Sequence, residues 1–103
     1  MRKMQASAAT VRRLEDLPNV GAAVAVELRR IGITAPAGLV GRDPFELYAE
    51  LNALTGIRHD PCLLDTFIAV TRFMAGEAAR PWWAYTAERR ARLAAVSPTD
   101  NKD

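Results

Sequence analysis

Leu17-Pro18-Asn19-Val20-Gly21 decides the fold. It lies between two stretches of helical pattern. Upstream, Ser7 to Asp16 reads as a first helix, with Ser7 in the N-cap position where a hydroxyl accepts from a free amide. Pro18 ends it, because a proline pushes the residue before it out of the helical region. Downstream, Val20, Val24, Leu28 and Ile31 recur at helical spacing and form one apolar face. Gly32 follows, at the position where a left-handed residue closes a helix. Between the two helices the chain must reverse sharply, and such a turn needs a residue that tolerates positive φ. Asparagine is the next best choice after glycine, which assigns that role to Asn19. Val20 is expected to point inward and lock the two helices. Gly21 opens the second helix, where missing side-chain bulk lets an anion approach free backbone amides.

The rest of the chain continues as short helices between Gly and Pro punctuation. Thr34 is expected to cap a short turn near residues 35–40, with Pro36 in its first turn. Asp43-Pro44-Phe45-Glu46 is a helix start: an aspartate N-cap, proline at N1 and glutamate at N3. That helix carries Phe45, Tyr48, Leu51 and Leu54 and stops at Gly56. Asp60-Pro61 repeats the start. The helix after it, to about Gly76, is the most apolar, with Leu63, Leu64, Phe67, Ile68, Val70, Phe73 and Met74. After Pro81, Thr86 is placed as the cap of a last helix through Val96. No stretch alternates with β-branched residues, so the fold class is all-α, a compact bundle of about five short helices. Val20, Leu28, Ile31, Leu51, Phe67 and Val70 are the expected core. Residues 1–9 read as a flexible basic N-terminus, 10–96 as the domain and 97–103 as a disordered polar tail.

Composition narrows the function. The chain has 103 residues, 50% hydrophobic and 25% charged, which suits one soluble domain. One cysteine excludes an intramolecular disulfide, and one histidine beside it leaves a Cys/His zinc site short of ligands. No apolar run approaches the roughly 18–20 residues that span a bilayer. The basic start has no apolar stretch after it, so no secretory signal is read and the cytoplasm is expected. No metal or cofactor is expected. Net charge is +2 and the isoelectric point about 9.1. Twelve of the fourteen cations are arginine. Arg2, Lys3, Arg12 and Arg13 fall in an N-terminal stretch without an acid, and Arg89, Arg90 and Arg92 cluster near the other end.

Three further motifs carry possible chemistry. Leu54-Thr55-Gly56-Ile57-Arg58 repeats the first turn 37 residues on, with Arg58 in place of the second glycine. A guanidinium there can replace amide contacts to a phosphate by direct charge; the plain alternative is a helix C-cap at Gly56 followed by a turn. In Arg58-His59-Asp60-Pro61-Cys62, a Cys–His pair could generate a thiolate. Asp60 is better explained as an N-cap, Cys62 as a first-turn residue and His59 as a surface or capping residue, so no catalysis is expected. In Pro81-Trp82-Trp83-Ala84-Tyr85, the aromatics either plug the core and dock the last helix, or form a stacking or partner surface with Arg89 beside it.

The hairpin at residues 17–21, followed by Leu28 and Gly32-Ile33, resembles the helix-hairpin-helix motif. It departs from the DNA-binding form at Asn19, where a glycine is usual, and at Ala23, where a lysine is often found. The larger set of Leu17–Gly21, Leu28–Ile33, Gly41–Pro44 with Leu47-Tyr48, Leu54–Cys62 and Pro81-Trp82-Trp83 resembles small bacterial helix-hairpin-helix proteins of the pathogenicity-locus or mitomycin-resistance type. The likeness covers about residues 12–92. It implies one or two helix-hairpin-helix motifs and a DNA-related role, and no established reaction. The expected function is a non-enzymatic, sequence-nonspecific DNA-binding module. Its phosphate contacts would come from Asn19, Val20, Gly21 and Ala22, supported by Arg12, Arg13 and Arg58. The alternative is a protein-interaction module using Trp82, Trp83 and Tyr85.

Overall fold

The computed structural model describes residues 3–96, with side chains from residue 4 to residue 95. The 97–103 tail lies outside the described residues. Four α-helices run through the domain: α1 (Ala22–Arg30), α2 (Pro44–Thr55), α3 (Pro61–Met74) and α4 (Thr86–Val96). Short 3-10 turns stand at Lys3–Gln5, Leu14–Asp16, Pro36–Leu39 and Trp82–Tyr85. No strand occurs among the described residues. The all-α expectation holds, and the count of α-helices is four rather than about five.

The missing helix is the first. Residues 7–13 form no helix, because their polar groups satisfy one another locally. The Ser7 amide donates to Thr10 Oγ1 (3.1 Å), and Thr10 Oγ1 and the Thr10 amide both donate to the Ser7 carbonyl. Such side-chain bonds compete with the helical ladder. Further on, the Asp16 carboxylate accepts from the amides of Arg12 (3.2 Å) and Arg13 (2.9 Å), which leaves one 3-10 turn at Leu14–Asp16. Leu14, Leu17 and Val20 are nevertheless fully buried. The segment therefore delivers its apolar side chains to the core without being a helix, and Ala6, Ala8 and Val11 pack against that core as well.

The other boundaries follow from caps. Asp43 accepts from the Phe45 amide and Asp60 from the Cys62 amide, each at 2.8 Å, with proline at N1 of both helices. α1 ends in a Schellman motif: the Ile33 amide reaches the Leu28 carbonyl and the Gly32 amide that of Arg29, with Gly32 at φ +86°. Two expected caps are not used. The Pro36–Leu39 turn has Ala35, not Thr34, at its N-cap. Thr86 is the first residue of α4, and its hydroxyl donates to Asp65 Oδ2 (2.7 Å) rather than capping the helix.

α3 is the centre of the molecule and packs against α2, α4 and the 36–39 and 82–85 turns. Leu64, Phe67, Ile68 and Val70 are buried along it. Ile31 is half-buried and packs on the core rather than within it. On α2 the buried positions are Leu47, Tyr48 and Leu51, whereas Leu54 is 62% exposed. α4 is docked by polar contacts. Arg89 reaches the fully buried Asp65 (2.8 Å), and Arg92 pairs with Asp43 (3.1 Å) while lying over the Phe45 ring at 4.0 Å from its centre.

Candidate functional site

The turn at residues 18–21 takes the backbone angles its residue types favour, although no α-helix precedes it among the described residues. Asn19 adopts φ +73°, the one non-glycine residue with positive φ among the described residues. Val20 is buried. Gly21 is the N-cap of α1 in extended conformation (φ −102°, ψ −168°), and it makes no side-chain cap. A Cβ built there would meet nothing within 4 Å. Ala22 and Ala23 are exposed. The first amides of an α-helix lack intrahelical acceptors, so the start of α1 presents N–H groups and the positive end of the helix dipole across a surface with little side-chain bulk. The Val20 amide, expected as a phosphate contact, is instead taken by the Leu17 carbonyl (3.1 Å).

Asn19 does more than make the turn. Its side-chain Nδ2 donates to the Arg80 carbonyl (2.7 Å), and its Oδ1 accepts from the Trp82 amide (3.1 Å). The amide clamps the aromatic turn onto the hairpin across 61 to 63 residues of sequence. Glycine at this position would give the same backbone and no clamp. Asparagine therefore has a structural role here beyond the turn itself, and it brings Arg80, which sequence reasoning missed, to the edge of the turn.

The cations divide into paired and unpaired. Arg29 holds Glu15 (3.0 Å), Arg30 Glu27 (3.1 Å) and Arg42 Glu50 (3.1 Å); Arg72 holds Glu88. Arg13 sits 3.6 Å from Asp16 with its side chain 74% exposed. Arg12, Arg58, Arg80 and Arg90 are exposed and have no carboxylate within 4 Å among the described residues. Two backbone amides and Arg13 hold the Asp16 carboxyl below the usual range. Glu15 is likewise lowered, by backbone hydrogen bonding first and Arg29 second.

The second turn differs from the first. Gly56 has φ +73° at the place that corresponds to Asn19, but it is the C-cap of α2, with its amide on the Asn52 carbonyl. Ile57, the counterpart of buried Val20, is 60% exposed. His59 is held by Asn52, whose Oδ1 accepts from the His59 amide (3.0 Å) and lies 2.8 Å from Nδ1, while Tyr48 donates its hydroxyl to the His59 carbonyl. His59 Nε2 faces Glu27 Oε1 at 3.9 Å. That oxygen is buried without an aligned hydrogen bond. Both residues line an open groove of about 210 Å³ with Ala23, Val24, Asp60 and Leu63. Cys62 is not activated. The hydrogen bond to Asp60, with burial and that carboxylate's charge, pushes its thiol up.

The aromatic cluster separates by exposure. Tyr85 is buried at 4%, and burial pushes its hydroxyl pKa up. Trp82 is half-buried and meets Trp83 edge to face, with centroids 5.5 Å apart. Trp83 is 63% exposed. Arg89, grouped with these residues on sequence grounds, is turned inward to Asp65, with its side chain 12% exposed. Among the described residues, no group of three or more His, Cys, Asp or Glu could hold a metal ion, and no helix is long and apolar enough to cross a membrane.

A small all-helical domain with a bare helix start braced against an aromatic turn is the class these features define. The chain belongs to the pathogenicity locus family, Cdd1, whose pattern matches residues 7–91. It is 52% identical over 81 residues to the mitomycin resistance protein McrB of Streptomyces lavendulae, covering 79% of this chain and 77% of that protein. No solved structure matches it.

Proposed function

We propose that the domain is a non-enzymatic, sequence-nonspecific DNA-binding module of helix-hairpin-helix type, acting in the cytoplasm. The observation that carries the reading is the start of α1. Gly21 caps it without a side chain, nothing lies within 4 Å of where a Cβ would be, and no acid occurs in the first turn. Phosphate oxygens fit such a turn, which reads no base. The amides of Gly21 and Ala22, at the end of the Asn19–Val20 turn, supply the contact. Arg12, Arg13 and Arg58 add charge, and Arg80 joins them. With roughly three to five phosphates neutralised, log K should fall against log salt with a slope of about −3 to −5.

Binding of a labelled duplex at two salt concentrations tests this, with Gly21→Glu as the discriminating variant. Gly21 has negative φ and open space, so the variant should fold, and its anion stands where a phosphate must come. Loss of affinity on all sequences alike is expected. A folded variant that binds as well as the parent removes the reading. The alternative is a protein-interaction surface at Trp82–Tyr85, favoured by the exposure of Trp83. The name of the Streptomyces relative extends the proposal to a part in mitomycin resistance, which survival of cells with and without this chain would test.

A further inference from the structure

The phosphate reading leaves the aromatic turn unexplained, although Asn19 binds that turn to the hairpin through the Arg80 carbonyl and the Trp82 amide. Trp83 is one residue past the held amide, and Gly21 two residues past Asn19. At about 3.8 Å per residue, the path between Trp83 and Gly21 is at most roughly 20 Å. A few nucleotides of single strand cover that span, as in binding sites of about four nucleotides. The indole of Trp83 is 63% exposed and is supported edge to face by half-buried Trp82. Arg80, exposed and without a carboxylate partner among the described residues, precedes the pair. No other large apolar side chain between residues 80 and 87 is exposed, so the turn offers one aromatic face, three residues after an exposed cation, rather than a continuous apolar patch. That chemistry suits a base and its phosphate better than a protein surface.

We infer that Trp83 is a stacking platform for an unpaired base, and that the DNA taken at the hairpin is duplex bearing a short single-stranded segment. The inference rests on the phosphate reading of the hairpin. Inside an intact duplex both faces of each base are already stacked, and an exposed indole has nothing to gain. At a strand end or gap a base face is free. Trp83 covers it while Arg80 meets the adjoining phosphate and the start of α1 holds the duplex backbone.

Three labelled probes separate the claims: a blunt duplex, the same duplex with a short oligothymidine tail, and oligothymidine alone. The tail should raise affinity about tenfold, within the range that one base–aromatic stack supplies. Trp83→Ala should abolish that gain and leave blunt-duplex affinity unchanged, Trp83→Phe should keep most of it, and Arg80→Ala should reduce the salt slope on tailed DNA by about one. Trp83 is exposed, so these variants should keep the parent's circular dichroism. Equal, salt-sensitive binding of blunt and tailed duplex by the parent overturns this inference and leaves the hairpin reading standing. Equal weakening of both probes by Trp83→Ala also overturns it. A parent that binds none of the three probes overturns both readings.

Discussion

Arg89 Nε lies 2.8 Å from Asp65 Oδ1, and the Asp65 side chain has no exposed surface. Thr86 Oγ1 donates to the other oxygen, so α4 is fastened to the core of α3 through a charge that water cannot reach. The pairing raises the pKa of Arg89 further above its already high value.

Removing one partner leaves the other buried and uncompensated, which typically costs about 3–5 kcal/mol. Arg89→Ala should lower the unfolding free energy obtained from urea denaturation by that order, and the midpoint with it. Arg89→Leu combined with Asp65→Asn should recover part of the loss, because no net charge then stays behind. Equal midpoints for parent and Arg89→Ala would show that α4 does not depend on the pair.

Asn19 has two separable roles. Asn19→Gly keeps the left-handed backbone and loses two hydrogen bonds, about 1–3 kcal/mol at the usual value of each. Asn19→Ala loses the same bonds and adds about 1–2 kcal/mol for an L-residue at positive φ. Chemical denaturation should therefore rank the parent above Asn19→Gly, and Asn19→Gly above Asn19→Ala.

Asp60 governs Cys62. The thiol is pushed up by its hydrogen bond to that carboxylate, by burial and by the adjacent charge. Alkylation of the native protein near neutral pH should be slow, and Asp60→Asn should speed it by lowering the thiol pKa. The Cys62 amide in turn holds Asp60 below the usual carboxylate range. A depressed folded-state value means that this cap stabilises fully above the ordinary aspartate range and is lost as pH falls through the lower folded value. The acid limb of the unfolding profile should therefore flatten in Asp60→Asn.

The Asn52 Oδ1 that faces His59 Nδ1 at 2.8 Å already accepts from the His59 amide. An amide oxygen carries no proton, so in the neutral ring the proton sits on Nδ1. Nitrogen chemical shifts of the single histidine should report that tautomer, and Asn52→Ala should release the preference. The opposite tautomer in the parent would mean that the Asn52 amide is turned around.

Much of the fold was legible because it depends on neighbours in sequence. The Asp43-Pro44 and Asp60-Pro61 starts act within two residues, as does the left-handed turn at Asn19. Residues 7–16 misled because Ser7 was read as a helix N-cap, while Ser7, Thr10 and Asp16 offered the backbone other partners. The inward turn of Arg89 was hidden for another reason. Its partner is 24 residues away, although an aspartate between Leu64 and Phe67 on the most apolar helix already signalled a buried charge in need of one. Which of Trp82, Trp83 and Tyr85 faced outward could not be read, since a 3-10 turn imposes a period of about three rather than 3.6.

The clamp by Asn19 also has a consequence for how the chain is made. The hairpin lies within the first quarter of the sequence, yet the groups its side chain holds are the Arg80 carbonyl and the Trp82 amide. A ribosome adding roughly 5–20 residues per second exposes the hairpin seconds before those groups leave the tunnel. During that interval Asn19 can set the turn but cannot brace it. The surface around Gly21 and Trp83 is therefore among the last parts of the domain to be completed during synthesis.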